Sequence, residues 1–458
     1  MNVDQDAPRE PTLESLAAAL AAGQTSSRAL VEDCLSRILD PEGQGAKVFI
    51  QVDAAGARAA ADAMDMLRAV RAAPTPYAGI PISVKDLFDI EGQTTRAGSR
   101  ALADAEPARA TATAVARLRA AGFVVMGRTN MTEFAFSGLG LNPHYGTPLS
   151  RWQRSEGRIA GGSSSGGAAS VADGMAHAAL GTDTGGSCRI PAAFNGLVGF
   201  KPTATRVPRD GALPLSTTLD SIGPIARSVR CVEILDSILA STARRALDDL
   251  SLPQLRALVP RTIALDGLDP RVSQAFDRSL KLLSDAGVRI SVMEVPELSQ
   301  IPVMNAKGGF AAAESYAWHA SLLERAGDTY DPRVSVRIRR GAGQSAADLI
   351  ALQQARAALI AAMTHRMRNF DVMLLPTTPI VPPMLSELTD DAEYGRVNLL
   401  ALRNPTLINM VDGCAISVPM ERKGEPPMGL MIAACNDEDD TVLAAAAAIE
   451  AAVSARYA

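Results

Sequence analysis

The sequence predicts a layered α/β fold, and two observations lead to that prediction. Helix-like and strand-like segments alternate: residues 112–127 read as a helix, a glycine and a buried apolar strand, and residues 166–181 repeat that order. The composition is 47% apolar and 21% charged over 458 residues, which is ordinary for a globular protein. A chain of this length can bury a large core, so we expect one α/β domain with loop insertions.

The N-terminal part is predicted to be helical before the alternation begins. Residues 12–40 predict two helices, and the second follows the capping-type run at 25–27. Residues 54–72 are alanine-rich and predict a third helix. The short apolar, β-branched run at 79–90 then predicts the first buried strand.

The rest of the chain continues in the same style. Gly174 is a plausible helix end within 166–181. Further strands are predicted at 261–267, 288–295, 370–379 and 413–420, with helices at 270–286 and at the acid-started C-terminus. The more polar stretches 240–260 and 382–395 predict surface loops. Residues 300–368 predict a helical layer, for which a lid-like role is one interpretation.

Composition and charge exclude several classes of function. The net charge is −5 and aromatic residues make up 4%, so neither a basic surface nor a base-stacking platform for nucleic acid is expected. The five cysteines are dispersed without a CxxC pair, which argues against disulfides and zinc. The polar N-terminus predicts no signal peptide, and no apolar run reaches transmembrane length. A cytoplasmic protein with reduced thiols is therefore expected.

Lys85 stands near the end of the apolar strand-like run "ISVKD". Lysines are rare in buried strands because burying an ammonium group is costly. One interpretation is a lysine whose stem packs on the strand while its ammonium reaches water. The other is a desolvated lysine whose pKa falls far enough for the amine to act as a base.

A glycine- and serine-rich stretch at 160–168 runs directly into an apolar helical segment. A surface loop is one interpretation and a phosphate cradle another, but the lysine of a P-loop is missing. Ser164 formally centres a G-x-S-x-G nucleophile elbow. That elbow needs a preceding buried strand, which the polar residues 151–160 do not predict. Its base would have to come from the histidines in apolar or helical segments: His177, His319 and His365.

Ser187 ends the run "GTDTGGS" and precedes a short predicted helix, with Pro191 in its first turn and Gly196 at its end. Glycines beside a serine let backbone N–H groups converge without side-chain obstruction. Ser187 therefore falls near a helix N-terminus, where unpaired N–H groups can bind an oxyanion. A glycine-rich turn with a capping serine is the alternative. No histidine lies nearby in the sequence to activate the hydroxyl.

Together these three stretches resemble the amidase signature family. That family is marked by a G-x-P-x-x-x-K-D strand, a G-G-S-S-[GS]-G loop and a G-T-D-x-G-G-S-x-R-x-P run, and this chain has "GIPISVKD", "GGSSSG" and "GTDTGGSCRIP". The separation of 24 residues between Ser163 and Ser187 also fits. Similar segments follow the family order over nearly the whole chain: 94–99, 127–138, 199–203, 214–224 and 374–379.

The resemblance implies a fold. It is the amidase-signature fold, a large twisted mixed β-sheet flanked by helices on both faces. One domain would span residues 1–458, with N-terminal helices at about 12–72, a signature core at about 79–230 and a C-terminal α/β part at about 260–458.

The resemblance also implies a Ser–Ser–Lys triad. Ser187 would be the acyl nucleophile and Lys85 the base. Ser163, reached through a cis peptide bond from Gly162, would bridge them, because a serine can pass a proton between a nucleophile and a neutral lysine.

Residues around the nucleophile receive roles by the same resemblance. Asp183 and Arg189 would form an ion pair that braces the turn. Met131 and Phe134 would line the acyl pocket, although a methionine and a phenylalanine three apart are equally typical of a helix core. The oxyanion would be held by the backbone N–H groups of Thr184, Gly185, Gly186 and Ser187. Cys188 receives no role.

The C-terminal part departs from the commoner family pattern. "NMVDGCAISVP" stands where N-L-x-G-x-P-A is typical, and Met431 stands where glutamine is usual. The departure argues against the A-type subunit of glutamyl-tRNA amidotransferase and favours stand-alone amidases.

The expected function is therefore a serine hydrolase that cleaves C–N bonds of small carboxylic amides through an acyl-enzyme, without metal or cofactor. Carbamate (urethane) or aryl ester hydrolysis by the same triad is an open alternative. So is an amidotransferase subunit that delivers ammonia to a partner. The expected partner is a small amide or carbamate, with neither nucleic acid nor a membrane, and a homodimer is left open.

Overall fold

One mixed β-sheet organises the computed structural model, which describes residues 11–244, 247 and 250–457, with side chains as far as residue 453. Its eleven strands within those residues are β1 Phe49–Val52, β2 Pro81–Lys85, β3 Val124–Thr129, β4 Ala178–Asp183, β5 Val198–Lys201, β6 Ser221–Ala226, β7 Arg256–Pro260, β8 Arg289–Met293, β9 Val372–Pro376, β10 Cys414–Pro419 and β11 Gly429–Ala434. Their order across the sheet is β1-β3-β2-β4-β6-β5-β10-β11-β9-β7-β8. The predicted α/β class and the mixed sheet are confirmed.

Helices cover both faces of this sheet. The α-helices in the described chain are α1 Leu13–Ala21, α2 Ser27–Leu39, α3 Gly45–Val48, α4 Ala54–Ala69, α5 Thr113–Ala120, α6 Ser165–Ala172, α7 Arg189–Ala193, α8 Val229–Ala240, α9 Pro270–Asp285, α10 Gln300–Met304, α11 Gly309–Ala326, α12 Pro332–Arg339, α13 Ala346–Met367, α14 Asp391–Met410 and α15 Asp439–Tyr457. Successive strand residues point to opposite faces, so Leu374 packs in the cluster that includes α8 and α15, and Leu375 packs with α13 and α14.

The central strands bring the signature stretches to one edge of the sheet. β2 pairs in parallel with β4, so Lys85 at the end of β2 and Asp183 at the end of β4 lie at the same carboxyl edge. α6 packs against both strands and begins at Ser165, directly after the glycine- and serine-rich loop. Loops at the carboxyl ends of parallel strands are where α/β proteins commonly bind ligands.

Three predicted segments on the C-terminal side, 240–260, 261–267 and 382–395, are wrong in whole or in part. Residues 261–267 are irregular, with Ile263 at a φ of 63°, and the strand is β7, inside the predicted loop 240–260. β7 pairs in parallel with β8 and β9. The apolar run "ALVP" is therefore buried inside the sheet, where it is more stable than on the surface. The predicted loop 382–395 contains a 3₁₀ turn at Leu385–Leu388 and the start of α14.

The segment 300–368 is helical as predicted and comprises α10 to α13. By length and composition alone, α13 is the one described helix that could cross a membrane, an exception to the expectation from the sequence. Here a stripe that includes Leu359 and Met363 packs into the core. Arg356, in the middle of the helix, bonds to the carbonyl of Met410 and to Asp412. The helix therefore packs on the domain along one side.

Candidate active site

Lys85 is buried at the end of β2 and contacts two hydroxyl groups. Its Nζ lies 2.7 Å from Ser163 Oγ and 2.9 Å from Thr182 Oγ1. The side chain does not reach water, since Lys85 is 0% exposed. Burial disfavours the ammonium form and lowers the pKa of Lys85 to about 8, against the opposing fields of the Asp220 and Asp183 carboxylates. About a tenth of the lysine is then neutral one pH unit below that pKa, and this neutral fraction can act as a base.

Ser163 occupies the centre of the glycine- and serine-rich loop. The Gly162–Ser163 peptide bond is cis, and the Ser163 carbonyl accepts a hydrogen bond of 3.1 Å from the N–H of Thr132. Gly162 is required there, because a Cβ would meet the backbone of Gly140 at 2.6 Å. The loop thus holds the Ser163 hydroxyl against the lysine.

Ser164 does not have the surroundings of a nucleophile elbow. Its hydroxyl faces the carbonyl of Thr182 at 3.4 Å. In the described chain, the segment before it carries isolated bridges and a 3₁₀ turn but no strand. His319 bonds to Tyr330 at 2.8 Å, and His177 lies 3.9 Å from Cys34, so both have other contacts.

Ser187 lies next to this loop in a tight turn before α7. Its carbonyl accepts the N–H of Ser164 at 3.3 Å, which ties the two serine segments together. Gly186 has a φ of 125°, and a Cβ at that position would meet Pro405 at 2.6 Å. Ser187 is 3% exposed, so the turn buries most of this residue.

The oxyanion assignment needs one correction. The N–H of Gly186 donates to Asp183 Oδ1 at 2.8 Å, so it is turned towards the brace. The N–H groups of Thr184, Gly185 and Ser187 make no hydrogen bond within the described part of the chain. The candidate oxyanion donors therefore narrow from four to these three.

Asp183 and Arg189 form the buried ion pair that was expected. Arg189 Nη2 and Nε lie 2.8 and 3.0 Å from the Asp183 carboxylate, and both side chains are inaccessible. Burial alone would raise the pKa of the Asp183 carboxyl, but the adjacent guanidinium outweighs it and holds that pKa well below its usual range. Asn409 bonds to both partners, and Met431 Sδ lies 3.2 Å from Arg189 Nη1.

Cys188 has a packing role. Its side chain lies in a buried cluster between α6, α7 and β6. Its N–H donates to Asp183 at 3.1 Å, and its thiol faces the carbonyl of Gly223 at 3.5 Å. Burial raises the pKa of the thiol well above its ordinary value, so Cys188 stays a neutral side chain beside the nucleophile.

Met131 and Phe134 belong to the core. Phe134 lies in a 3₁₀ turn with a φ of 49°, and its ring packs on His319 and Tyr330 at centroid distances of 4.3 and 5.0 Å. Met131 is fully buried. Neither residue lines the cavity beside the nucleophile turn. Ala135, which follows Phe134 in the 3₁₀ turn, does line it.

A cavity of about 260 Å³ opens beside the nucleophile turn and is lined by Thr182 and Thr184. It is smaller than typical drug-sized ligand pockets. Asp220 forms part of its wall, and its carboxylate accepts the Thr184 hydroxyl and the N–H groups of Leu215 and Ser216. Burial raises the pKa of Asp220 to about 6.

Sequence reasoning missed three residues of this site. Thr182 was visible as the second residue of the "GTD" run, where strand alternation places it opposite in direction to Asp183. Asp220 and Asn409 carry no local signal, because their partners lie 36 and 220 residues away in the chain.

The fold and the site define an α/β enzyme with its polar cluster at the carboxyl edge of parallel strands. The chain belongs to the amidase signature family, because the model of the Amidase family matches residues 29–443. It is similar to a 2-amino-5-chloromuconic acid deaminase of Comamonas testosteroni, with 32% identity covering 98% of this chain and 97% of the relative.

Two further relatives span nearly all of the chain. One is an A-type subunit of the glutamyl-tRNA(Gln) amidotransferase of Acidothermus cellulolyticus, which is 32% identical over 97% of this chain and 95% of its own. The other is a crystal structure of an amidase, which superimposes with a TM-score of 0.87 at 31% identity and covers 98% of this chain and all of the other. The enzyme is thus a hydrolase acting on C–N bonds.

Proposed function

We propose that this enzyme hydrolyses small carboxylic amides through an acyl-enzyme, with Ser187 as the nucleophile, Ser163 as the bridge and Lys85 as the base. One observation carries the proposal: a fully buried lysine amine lies 2.7 Å from the hydroxyl of Ser163. A hydroxyl can both accept and donate a proton, so a lysine facing it can serve as a base.

The first step is acylation of Ser187. The neutral amine of Lys85 takes the proton of Ser163 while Ser163 takes the proton of Ser187, and Ser187 Oγ attacks the carbonyl carbon. Thr182 helps by accepting an N–H from Lys85 Nζ at 2.9 Å, which leaves the nitrogen lone pair for Ser163. The oxyanion that forms is held by the three N–H groups of the turn.

The second half returns the protons. As the C–N bond breaks, Ser163 donates its proton to the leaving nitrogen, and the ammonium of Lys85 reprotonates Ser163. A water molecule then attacks the acyl ester with the relay again removing its proton, and Ser187 leaves as the hydroxyl. No metal or cofactor takes part in these steps.

Labelling and turnover of Ser187→Ala test the proposal, with Ser164→Ala as the matched control. We expect Ser187→Ala to lose fluorophosphonate labelling and anilide turnover by roughly 10⁴-fold or more, while Ser164→Ala keeps both. Covalent labelling that persists on Ser164 in the Ser187→Ala protein would favour the elbow and contradict the proposal.

The second candidate function is the release of ammonia from a substrate other than a simple carboxylic amide. The names of two relatives, a deaminase and an amidotransferase subunit, suggest it. Both names imply release of ammonia, from an amino-chloromuconic acid or for transfer. Carbamate and aryl ester hydrolysis would use the same relay. A purified-protein panel of anilides, primary amides, phenyl carbamates and glutamine separates them, since an amidotransferase subunit prefers glutamine and needs its partner.

A further inference from the structure

We propose that Arg209 binds a carboxylate on the acyl part of the substrate, so that the preferred substrates are monoamides of short dicarboxylic acids. The inference rests on the proposed function and extends it to a substrate class. It starts from the cavity that adjoins the nucleophile turn, of which Thr184 and Arg209 are both walls.

The two charged side chains that line the cavity differ in how fully they are hydrogen-bonded. Arg209 supplies the one cationic side chain and Asp220 the one carboxylate among the described lining residues. Asp220 is engaged by the Thr184 hydroxyl and two backbone N–H groups. It is therefore a poor partner for a substrate ammonium group, and its contact with Arg209 runs through its backbone carbonyl.

Arg209 is held in place but only partly used. Its Nη1 donates to the carbonyls of Thr217 and Asp220 at 2.7 and 3.0 Å. Within the described chain, its Nε and Nη2 donate no hydrogen bond and Arg209 forms no salt bridge. Its charge acts on the Asp220 carboxylate only from beyond salt-bridge distance, where it partly opposes the rise in the pKa of Asp220. A guanidinium fixed at one nitrogen presents the remaining donors in a plane that suits a carboxylate.

The cavity wall that carries Arg209 is held in place by hydrogen bonds to neighbouring side chains. Asp220 accepts the N–H groups of the loop, and Glu314 of α11 accepts the hydroxyls of Ser216 and Thr218 from outside it. Side chains such as Leu213 and Ile222 supply apolar surface on this wall. A short methylene chain packed on these apolar residues would direct a terminal carboxylate to the guanidinium.

We assign the acyl part of the substrate to this cavity because the cavity adjoins the turn of Ser187. The acyl part stays bonded to Ser187 until water releases it. Thr184 contributes its N–H to the candidate oxyanion site and its side chain to the cavity. The leaving amine must instead face Ser163, from which it takes a proton. The cavity of about 260 Å³ suits a short chain.

The test compares succinamic acid with butyramide, which share a four-carbon chain and differ in the terminal carboxylate. Ammonia release should give a kcat/KM ratio roughly tenfold to a hundredfold in favour of succinamic acid. Arg209→Gln should bring the ratio towards one, and Arg209→Lys should retain part of it. Arg396→Gln, an exposed arginine paired with Glu393 on α14, is the matched control and should keep the wild-type ratio.

A binding measurement keeps this proposal separate from the catalytic one. Succinate should raise the melting temperature of Ser187→Ala protein more than butyrate does, and the additional Arg209→Gln change should remove the difference. A wild-type ratio near one, or an unchanged ratio in folded Arg209→Gln protein, overturns the carboxylate site. Succinate binding through Arg209 without Ser187-dependent turnover would overturn the proposed hydrolysis and leave the site standing.

Discussion

Two buried lysines end two strands of the same sheet, and they differ in what they contact. Lys85 faces the hydroxyls of Ser163 and Thr182. Lys201, at the end of β5, faces the carbonyls of Pro202 and Gly413 at 3.0 and 2.6 Å. Burial is the main cause that lowers the pKa of both. The difference in partners separates a candidate base from a structural lysine.

A carbonyl can only accept a hydrogen bond, so Lys201 is always a donor to its partners. A hydroxyl can also donate, so Lys85 can take a proton from Ser163. Burial alone therefore does not identify a catalytic lysine, and the chemistry of the groups around it does.

The largest expected effect comes from Lys85→Met. Loss of the base should lower kcat for an anilide by roughly 10³-fold or more. The protein should stay folded, because the hydroxyls left behind can rotate to new partners and a desolvated amine has been removed. Stopped assays and thermal melts on the same preparation check this. Near wild-type turnover would mean that Lys85 is as structural as Lys201.

The pH dependence gives the next largest effect. The base must be neutral, and the pKa of Lys85 is about 8, so kcat/KM should rise with pH and level off above that value. Below it, each pH unit changes the neutral fraction about tenfold. The residual activity of Lys85→Met should lack this rise. A wild-type profile that is flat below pH 8 would remove the lysine from the relay.

Lys201→Met should have the smallest effect on rate and a measurable one on stability. It leaves two buried carbonyls without their donor, at a cost of about 1–3 kcal/mol in the free energy of unfolding. Turnover should be kept, because Lys201 contacts none of the groups of the relay. Denaturant unfolding beside the same anilide assay measures both, and a collapse of kcat in well-folded protein would break the distinction between the two lysines.

The candidate triad came from the resemblance to the amidase signature family. The motifs "GIPISVKD", "GGSSSG" and "GTDTGGS" carry that resemblance, which implied Lys85, Ser163 and Ser187, and the structure brings Lys85 and Ser163 into contact. β2, β3 and β4 were predicted from the sequence because a short apolar run follows a helical segment at each of them. β7 was missed because its five residues look like a loop until β8 and β9 flank them.

The sequence by itself determined which residue types stand at which positions, and therefore the family, the α/β class and the candidate triad. Only the tertiary structure decided which partner each group meets. In the folded chain the N–H of Gly186 donates to Asp183, and the amine of Lys201 donates to backbone carbonyls. Phe134 is buried in the core. The tertiary structure also set Arg209 in the same cavity wall as Thr184. The reason is physical: a buried polar group needs partners, and here those partners come from segments far apart in the chain.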